Sequence, residues 1–304
     1  MNNYVTMFHN YLMIHNYSNM YTYYVKNYIL YCNDNEIHVT KVTYEQLSSY
    51  ILYVTNKKYS KNYLNIIIKA IRSFYRCLLD NNLINTNMLD EIKKIKMLKI
   101  DRKRPVYITR EELSDMIDMG MSFCTFIDPL KLKVILTFLF YTGVRKGEFL
   151  NLKREDINLK EEVHRQVVRS NKITLAKYYM GSATIRIPTK TKEERKVYFP
   201  LGLAKELQKY YDEVEPHQDT NAFNITVRQL LHIISFVKDF LPKEKRDHFS
   251  VHTFRHSFAM MLVQKIGDIR KAQKLLGHKS INSTLFYYDP DEEMIKQVYS
   301  ENIK

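Results

Sequence analysis

The stretch KKIKMLKIDRKRP, Lys93 to Pro105, separates the chain into two parts of different character and so constrains the architecture most. Lys93, Lys94, Lys96, Lys99, Arg102, Lys103 and Arg104 are opposed there only by Asp101, and the run ends at a proline. Charge runs are ordinarily solvated surface, but at a break in composition a linker that contacts phosphates is an equally good reading. A chain of 304 residues is long enough for two domains with separate cores. The expected division is residues 1–95, a basic linker 96–108, and residues 109–304.

Residues 1–95 read as all-helical. YEQLSSYILYVT (Tyr44–Thr55) and YLNIIIKAIRSFYRCLLDNNLI (Tyr63–Ile84) carry apolar residues at three- and four-residue spacings. In the second, Ile67, Ile71, Phe74, Leu78 and Leu79 predict one buried stripe, which Asn81-Asn82 ends with turn chemistry. Beyond the basic stretch, Thr109-Arg110-Glu111-Glu112 is a capping box that opens a helix, and LKLKVILTFLFYTG predicts another that ends at Gly143. ATIRIP (Ala183–Pro188) alternates polar and apolar residues, RKVYFP (Arg195–Pro200) does so less strictly, and TKTKEE lies between them. That pattern predicts a hairpin with a lysine-rich turn, after which helices resume. The fold class expected is mainly α with a small antiparallel β-sheet in the second domain.

The formal net charge of +14 favours a polyanionic partner, nucleic acid first and an acidic membrane second. Cys32, Cys77 and Cys124 are scattered, with no C-x-x-C, and predict neither a disulfide framework nor a zinc site. The first thirty residues do not resemble a secretory leader, and VILTFLFY (Val134–Tyr141) is too short to span a bilayer. The chain therefore reads as soluble and cytoplasmic, with no membrane partner.

Three stretches carry groups suited to phosphate chemistry. In TGVRKGEFLNL, Arg145 follows a glycine stop and Glu148 stands three residues on, where it can orient the guanidinium on a short helix; a surface ion pair is the plainer reading of that segment alone. In SVHTFRHSFAMML, His252 and Arg255 share a helix face as an anion site, while Phe254, Phe258, Met261 and Leu262 supply a buried stripe. In LLGHKSINSTLFYY, Gly277 stops the helix IRKAQKLL, His278 falls in the turn, and Ser280 can cap a next helix carrying Tyr287. Each signal alone is weak.

Together, T-G-V-R-K-G-E, H-T-F-R-H-S-F-A and L-L-G-H-K-S-I-N-S-T-L-F-Y resemble, in order and spacing, the tyrosine recombinases of the phage-integrase family over roughly residues 109–290. AIRSFYRCLLDNNLI resembles, less specifically, the family's core-binding domain. The resemblance implies a two-domain, C-shaped DNA clamp, a helical core-binding domain followed by a catalytic one. It implies that Tyr287, nine residues beyond His278, attacks a phosphodiester and leaves a 3′-phosphotyrosyl link. Arg145, Arg255 and His278 would contact the phosphate, His252 would help take the tyrosine proton, and Glu148 would support the site. A hairpin lysine would protonate the leaving 5′-oxygen: IRIPTK resembles the family strand that ends at this lysine, which implies Lys190, with Lys192 the competitor. No metal, ATP or other cofactor is implied. The expected partners are paired double-stranded DNA sites, a homotetramer assembled on DNA, and accessory DNA-bending proteins.

The chemistry fits such roles. Forked guanidiniums fixed in advance stabilise charge on the non-bridging oxygens. A free phenol with pKa ~10 is roughly 0.1% ionised at pH 7, a deficit of roughly 4 kcal/mol, so local cations and a base matter. A type IB topoisomerase, which rejoins the same strand, and a DNA-binding regulator without catalysis remain as alternatives.

Overall fold

The computed structural model describes residues 2–15, 17–100, 105–169, 172–186, 194–214, 221–266, 268–277, 281–285 and 287. The chain divides into two compact units, Met1–Lys103 and Arg104–Lys304.

The first unit is helical: α1 (Asn2–Ile14), α2 (Met20–Asp34), α3 (Tyr44–Thr55), α4 (Lys61–Asp80) and α5 (Thr86–Lys93). The periodicity in Tyr63–Ile84 becomes the central α4. Ile67, Ile71, Phe74 and Leu78 are buried as expected, Leu79 is half-buried, and Leu64, Ile68, Ala70, Tyr75 and Cys77 widen the apolar face. The helix stops at Asn81, and Asn82 takes the positive φ of 58° that asparagine tolerates. Tyr28 of α2 and Tyr75 of α4 meet inside this core with their hydroxyls 2.6 Å apart, so each polar tip is satisfied where water is excluded. Cys32 and Cys77 are buried free thiols.

The basic stretch is partly strapped down. Arg72 Nη2 donates to the carbonyls of Lys93 and Ile95, and the Asn65 side chain bonds both the N–H and the carbonyl of Leu98 at 2.8 and 2.9 Å. Met97 and Leu98 pack against the first core, and Ile108 belongs to the second. Ordered packing thus enters the expected linker, 96–108, from both sides. Lys93 pairs with Asp90 at 2.8 Å and Lys94 pairs with Glu91, while Lys96 and Lys99 are exposed. Arg102, Lys103 and Arg104 lie outside the described residues.

The second unit begins with α6 (Arg110–Phe123), α7 (Pro129–Thr142) and α8 (Lys146–Asn151), continues through β1 (Ile157–Arg169), β2 (Lys172–Arg186) and β3 (Glu194–Phe199), and then returns to helix. These later helices are α9 (Leu201–Glu213), α10 (Val227–Val237), α11 (Lys243–Arg246), α12 (Val251–Ile266), α13 (Ile269–Leu276) and α14 (Asn282–Leu285). The capping box forms: Thr109 Oγ1 accepts from the Glu112 N–H at 3.2 Å, and Glu112 Oε2 accepts from the Thr109 N–H at 2.8 Å. Phe138 of α7 centres the core, with ring centroids 5.4 Å from Phe199, 5.0 Å from Phe223 and 6.1 Å from Phe149. These contacts hold α7, α8 and β3 in fixed relation, and the candidate site is built on them.

The predicted hairpin is β2–β3, registered from Gly181↔Phe199 to Arg186↔Glu194; its turn, with Lys190 and Lys192, lies outside the described residues. The sheet itself is larger than the sequence reading implied. Strand β1 pairs antiparallel with β2 from Ile157↔Ala183 out to Arg169↔Lys172, with a bulge between Asn158 and Glu161. Because β3 covers β2 only from Gly181 onward, the rest of β1 and β2 runs on as a two-stranded ribbon.

Candidate active site

The site is assembled where several helix and strand ends converge. Helix α7 ends at Gly143, whose φ of 57° is the left-handed conformation that glycine adopts without a Cβ penalty. The chain then enters α8, with Arg145 in the N-cap position. Glu148, only 7% exposed, folds back on it: Oε2 accepts the Arg145 backbone N–H at 2.7 Å, and Oε1 accepts Arg145 Nη1 at 2.8 Å. The pair at three-residue spacing is therefore a half-buried orienting contact, and the plain surface reading does not hold.

The same carboxylate takes a second guanidinium. Arg195 Nη2 of β3 donates to Glu148 Oε2 at 2.7 Å. The Arg195 side chain is 13% exposed, and burial, then neighbouring Arg145, hold its pKa below the usual guanidinium range. A third guanidinium comes from α12. Arg255, 5% exposed, donates Nη1 to the Gly143 carbonyl at 2.7 Å and Nη2 to the Leu276 carbonyl at 2.5 Å. Burial, then Arg145 and Arg195, push it down to about 10, so it remains charged at neutral pH.

Helix α13 supplies what these cations hold. Its last carbonyls have no intrahelical partners and form the negative pole of the helix. Arg255 takes the Leu276 carbonyl, and Arg145 Nη2 takes that of Gly277 at 3.1 Å. Gly277 has a φ of 63°, and a Cβ there would lie 2.8 Å from Arg195 Nε, so glycine is required twice over. The next residue, His278, lies outside the described residues, as does Ser280. Among the described residues, Arg145, Arg195 and Arg255 surround the single carboxylate of Glu148, a balance suited to an anion.

His252, at the start of α12, is exposed; partial burial, then Arg255, Lys146 and Arg145, lower its pKa. One turn on, His256 Nδ1 lies 2.5 Å from the Tyr287 hydroxyl. Tyr287 is 8% exposed and packs with Ala259, Val263, Ala272 and Leu276. Burial raises its pKa and Arg255 opposes the rise. Tyr287 is not inside a helix, as the sequence reading had it. Helix α14 ends at Leu285, and Tyr287 follows in a turn closed by its N–H to the Thr284 carbonyl at 2.9 Å. Tyr288 lies outside the described residues. The expected α12 stripe is also adjusted: Phe254 is buried, while Phe258, Met261 and Leu262 are half-buried.

Sequence reasoning did not single out Arg195 or His256. For Arg195 the signal is strand alternation, which puts it on the face of Val197 and Phe199, where an arginine needs an anion. For His256 it is the four-residue spacing from His252 on one helix face. Among the described residues no group of three or more His, Cys, Asp or Glu is arranged to hold a metal, and no helix is long and apolar enough to cross a membrane.

A guanidinium cluster thus lies near a buried tyrosine, on a helical domain with a small antiparallel sheet, an arrangement suited to holding an anion. The family profile described as "Phage integrase family" matches residues 106–294, and the chain belongs to that family. Its relatives include the tyrosine recombinase XerD of Chlorobaculum tepidum, 31% identical, with 76% of this chain and 72% of the relative covered. The tyrosine recombinase XerC of Leptospira interrogans is 24% identical over 96% of this chain and 90% of its own. Among solved structures, the Tn1549 transposon integrase in complex with transposon right-end DNA shares the fold at a TM-score of 0.68, 14% identity and 98% coverage of both chains. A lambda integrase dimer bound to a core site does so at 0.62, with 14% identity and 96% of each chain covered.

Proposed function

We propose that this chain is a site-specific DNA recombinase that cleaves and rejoins strands through a 3′-phosphotyrosyl intermediate. The observation that carries the reading is the guanidinium pair Arg145 and Arg255, fixed on the α13 terminus, with the buried Tyr287 under the influence of Arg255. Membership of a family whose relatives bear the name tyrosine recombinase supports it, as do neighbours solved with transposon-end and core-site DNA.

In this reading Tyr287 Oη attacks the scissile phosphorus while Arg145, Arg255 and His278 bind the non-bridging oxygens, Glu148 holds Arg145 in register, and His252 helps in removing the tyrosine proton. Guanidiniums already anchored need little reorganisation as charge grows in the transition state. Lys190 protonates the departing 5′-oxygen. Bond energy is kept in the protein–DNA ester, so rejoining needs no ATP. The two units clamp duplex DNA, and the exposed Lys96 and Lys99, with Arg102, Lys103 and Arg104, add phosphate contacts. A tetramer on paired sites, helped by DNA-bending proteins, is the working assembly, in the cytoplasm.

A nicked suicide substrate tests the nucleophile. Tyr287→Phe is expected to bind DNA normally and form no covalent adduct, whereas Tyr288→Phe still forms it; adduct from Tyr287→Phe would reassign the nucleophile, and none from the native chain would leave a silent regulator. Strand exchange between two sites, set against relaxation of supercoils, separates a recombinase from a topoisomerase. For the acid, a 5′-thio leaving group scarcely needs protonation. Lys190→Ala should cleave ordinary DNA poorly and the sulfur substrate nearly normally. Rescue of Lys192→Ala instead would move the role to Lys192.

A further inference from the structure

We infer that His256 is the base that accepts the Tyr287 proton as the tyrosine attacks, and returns it when the strand is rejoined. The inference rests on Tyr287 being the nucleophile of the proposed reaction. It adds a group that the family resemblance does not supply, since that resemblance points to His252 for this task.

The geometry is direct. Nδ1 of His256 lies 2.5 Å from Tyr287 Oη, with the ring centroids 5.7 Å apart and the planes inclined by 43°. His252 stands one turn earlier on the same helix face and is exposed, whereas His256 and Tyr287 are sheltered together. A phenol kept protonated by burial donates in such a pair. Nδ1 must then carry the lone pair and Nε2 the ring proton.

The electrostatics leave the acceptor lone pair free and make the ring a weak base. Burial, then His252 and Arg255, push His256 down to about 4, so the ring is uncharged at neutral pH and its lone pair is available. Burial raises Tyr287 in turn. The resting equilibrium therefore leaves the proton on the phenol, and the nucleophile is not squandered as a buried phenolate. Transfer becomes favourable only as the new O–P bond drains electron density from Oη. The step balances: the Oη–P bond forms, the P–O5′ bond breaks, the phenolic proton passes to Nδ1, and the 5′-oxygen receives a proton from the general acid. The imidazolium so formed faces Arg255 and His252, which makes it a ready donor when the 5′-hydroxyl returns and tyrosine leaves.

The test uses the full-length chain and a suicide DNA substrate under single-turnover conditions. His256→Ala and the size-conserving His256→Gln are each made with tyrosine at 287 and with a fluorinated tyrosine that ionises near neutral pH. With ordinary tyrosine, both variants should lose about 100-fold in adduct formation while binding DNA normally, the scale of a lost general base. With the fluorinated nucleophile, which gives up its proton far more readily, most of that loss should vanish. A group that only holds the ring gives equal loss in both backgrounds, which would overturn the inference. So would native rates or faster cleavage from the glutamine variant. Tyr287→Phe run alongside separates the layers: adduct from that variant would sink the reading beneath, whereas its silence beside fully active His256 variants would sink this inference alone.

Discussion

Replacing Arg255 by alanine is expected to slow covalent capture of DNA by about 10³-fold while leaving binding nearly intact. The basis is the fixed orientation of the guanidinium. Its two terminal nitrogens are anchored on the Gly143 and Leu276 carbonyls, so its charge is aimed before any substrate arrives. Loss of one preorganised donor at a developing oxyanion typically costs about 10²–10³ in rate, and a guanidinium removes a full charge as well. Arg255→Lys keeps the charge but cannot fork between two carbonyls, so it should fall between alanine and the native residue. Single-turnover cleavage and gel-shift affinity, measured together, decide the matter. An alanine variant that cleaves at the native rate, or loses rate only in proportion to affinity, would remove Arg255 from the chemistry.

Glu148→Ala should produce the largest loss of stability in the site, about 3 kcal/mol, because breaking a buried ion pair strands the surviving charge. The two partners do not contribute equally. The Arg145 side chain is 40% exposed and can turn to water, whereas Arg195 is 13% exposed and has no comparable escape. Among the described residues, Arg195 Nε and Nη1 already lack partners, so losing Glu148 also removes the acceptor of Nη2. For a unit of this size the shift in melting temperature is roughly 10 °C. Arg195→Met placed on top of Glu148→Ala should recover much of the loss by removing the stranded cation, a plain departure from additivity. Thermal unfolding of the single and double variants tests this. Additive losses, or a melting point within about 2 °C of native for Glu148→Ala, would show that the carboxylate is not what neutralises Arg195.

Features encoded locally were legible in the sequence. The Thr109 capping box, the stops at Gly143 and Gly277, and the apolar spacing of α4 are all written within a few residues of one another. The β1–β2 ribbon was not. In INLKEEVHRQVVR, Val163 and Val167 are four apart among glutamates and lysine, a spacing and composition that suit a helix as well as a strand. Its strand character comes from partners such as Val163↔Tyr178 and His164↔Lys177, which lie beyond the reach of any pattern within the segment itself. The candidate site divides the same way. Arg145, Glu148, His252, Arg255 and Tyr287 stand in recognisable motifs. Arg195 and His256 acquire meaning only when β3 is laid against α8 and the turn after α14 is folded back on α12.

The grip of Arg145 and Arg255 on the end of α13 bears on how such a site survives without its substrate. Clustered cations repel one another and would splay apart in an empty pocket. Here the carbonyls of Leu276 and Gly277 serve as a resident placeholder anion, carrying part of the charge that a phosphate would bring. The empty site is thus kept in the shape of the full one by the protein's own backbone. Both arginines are also gauged from a single landmark. Inserting one residue into α13 ahead of Gly277 would turn that landmark by about 100° and advance it by about 1.5 Å. The two cations would then lose their alignment as a set, although neither had been altered.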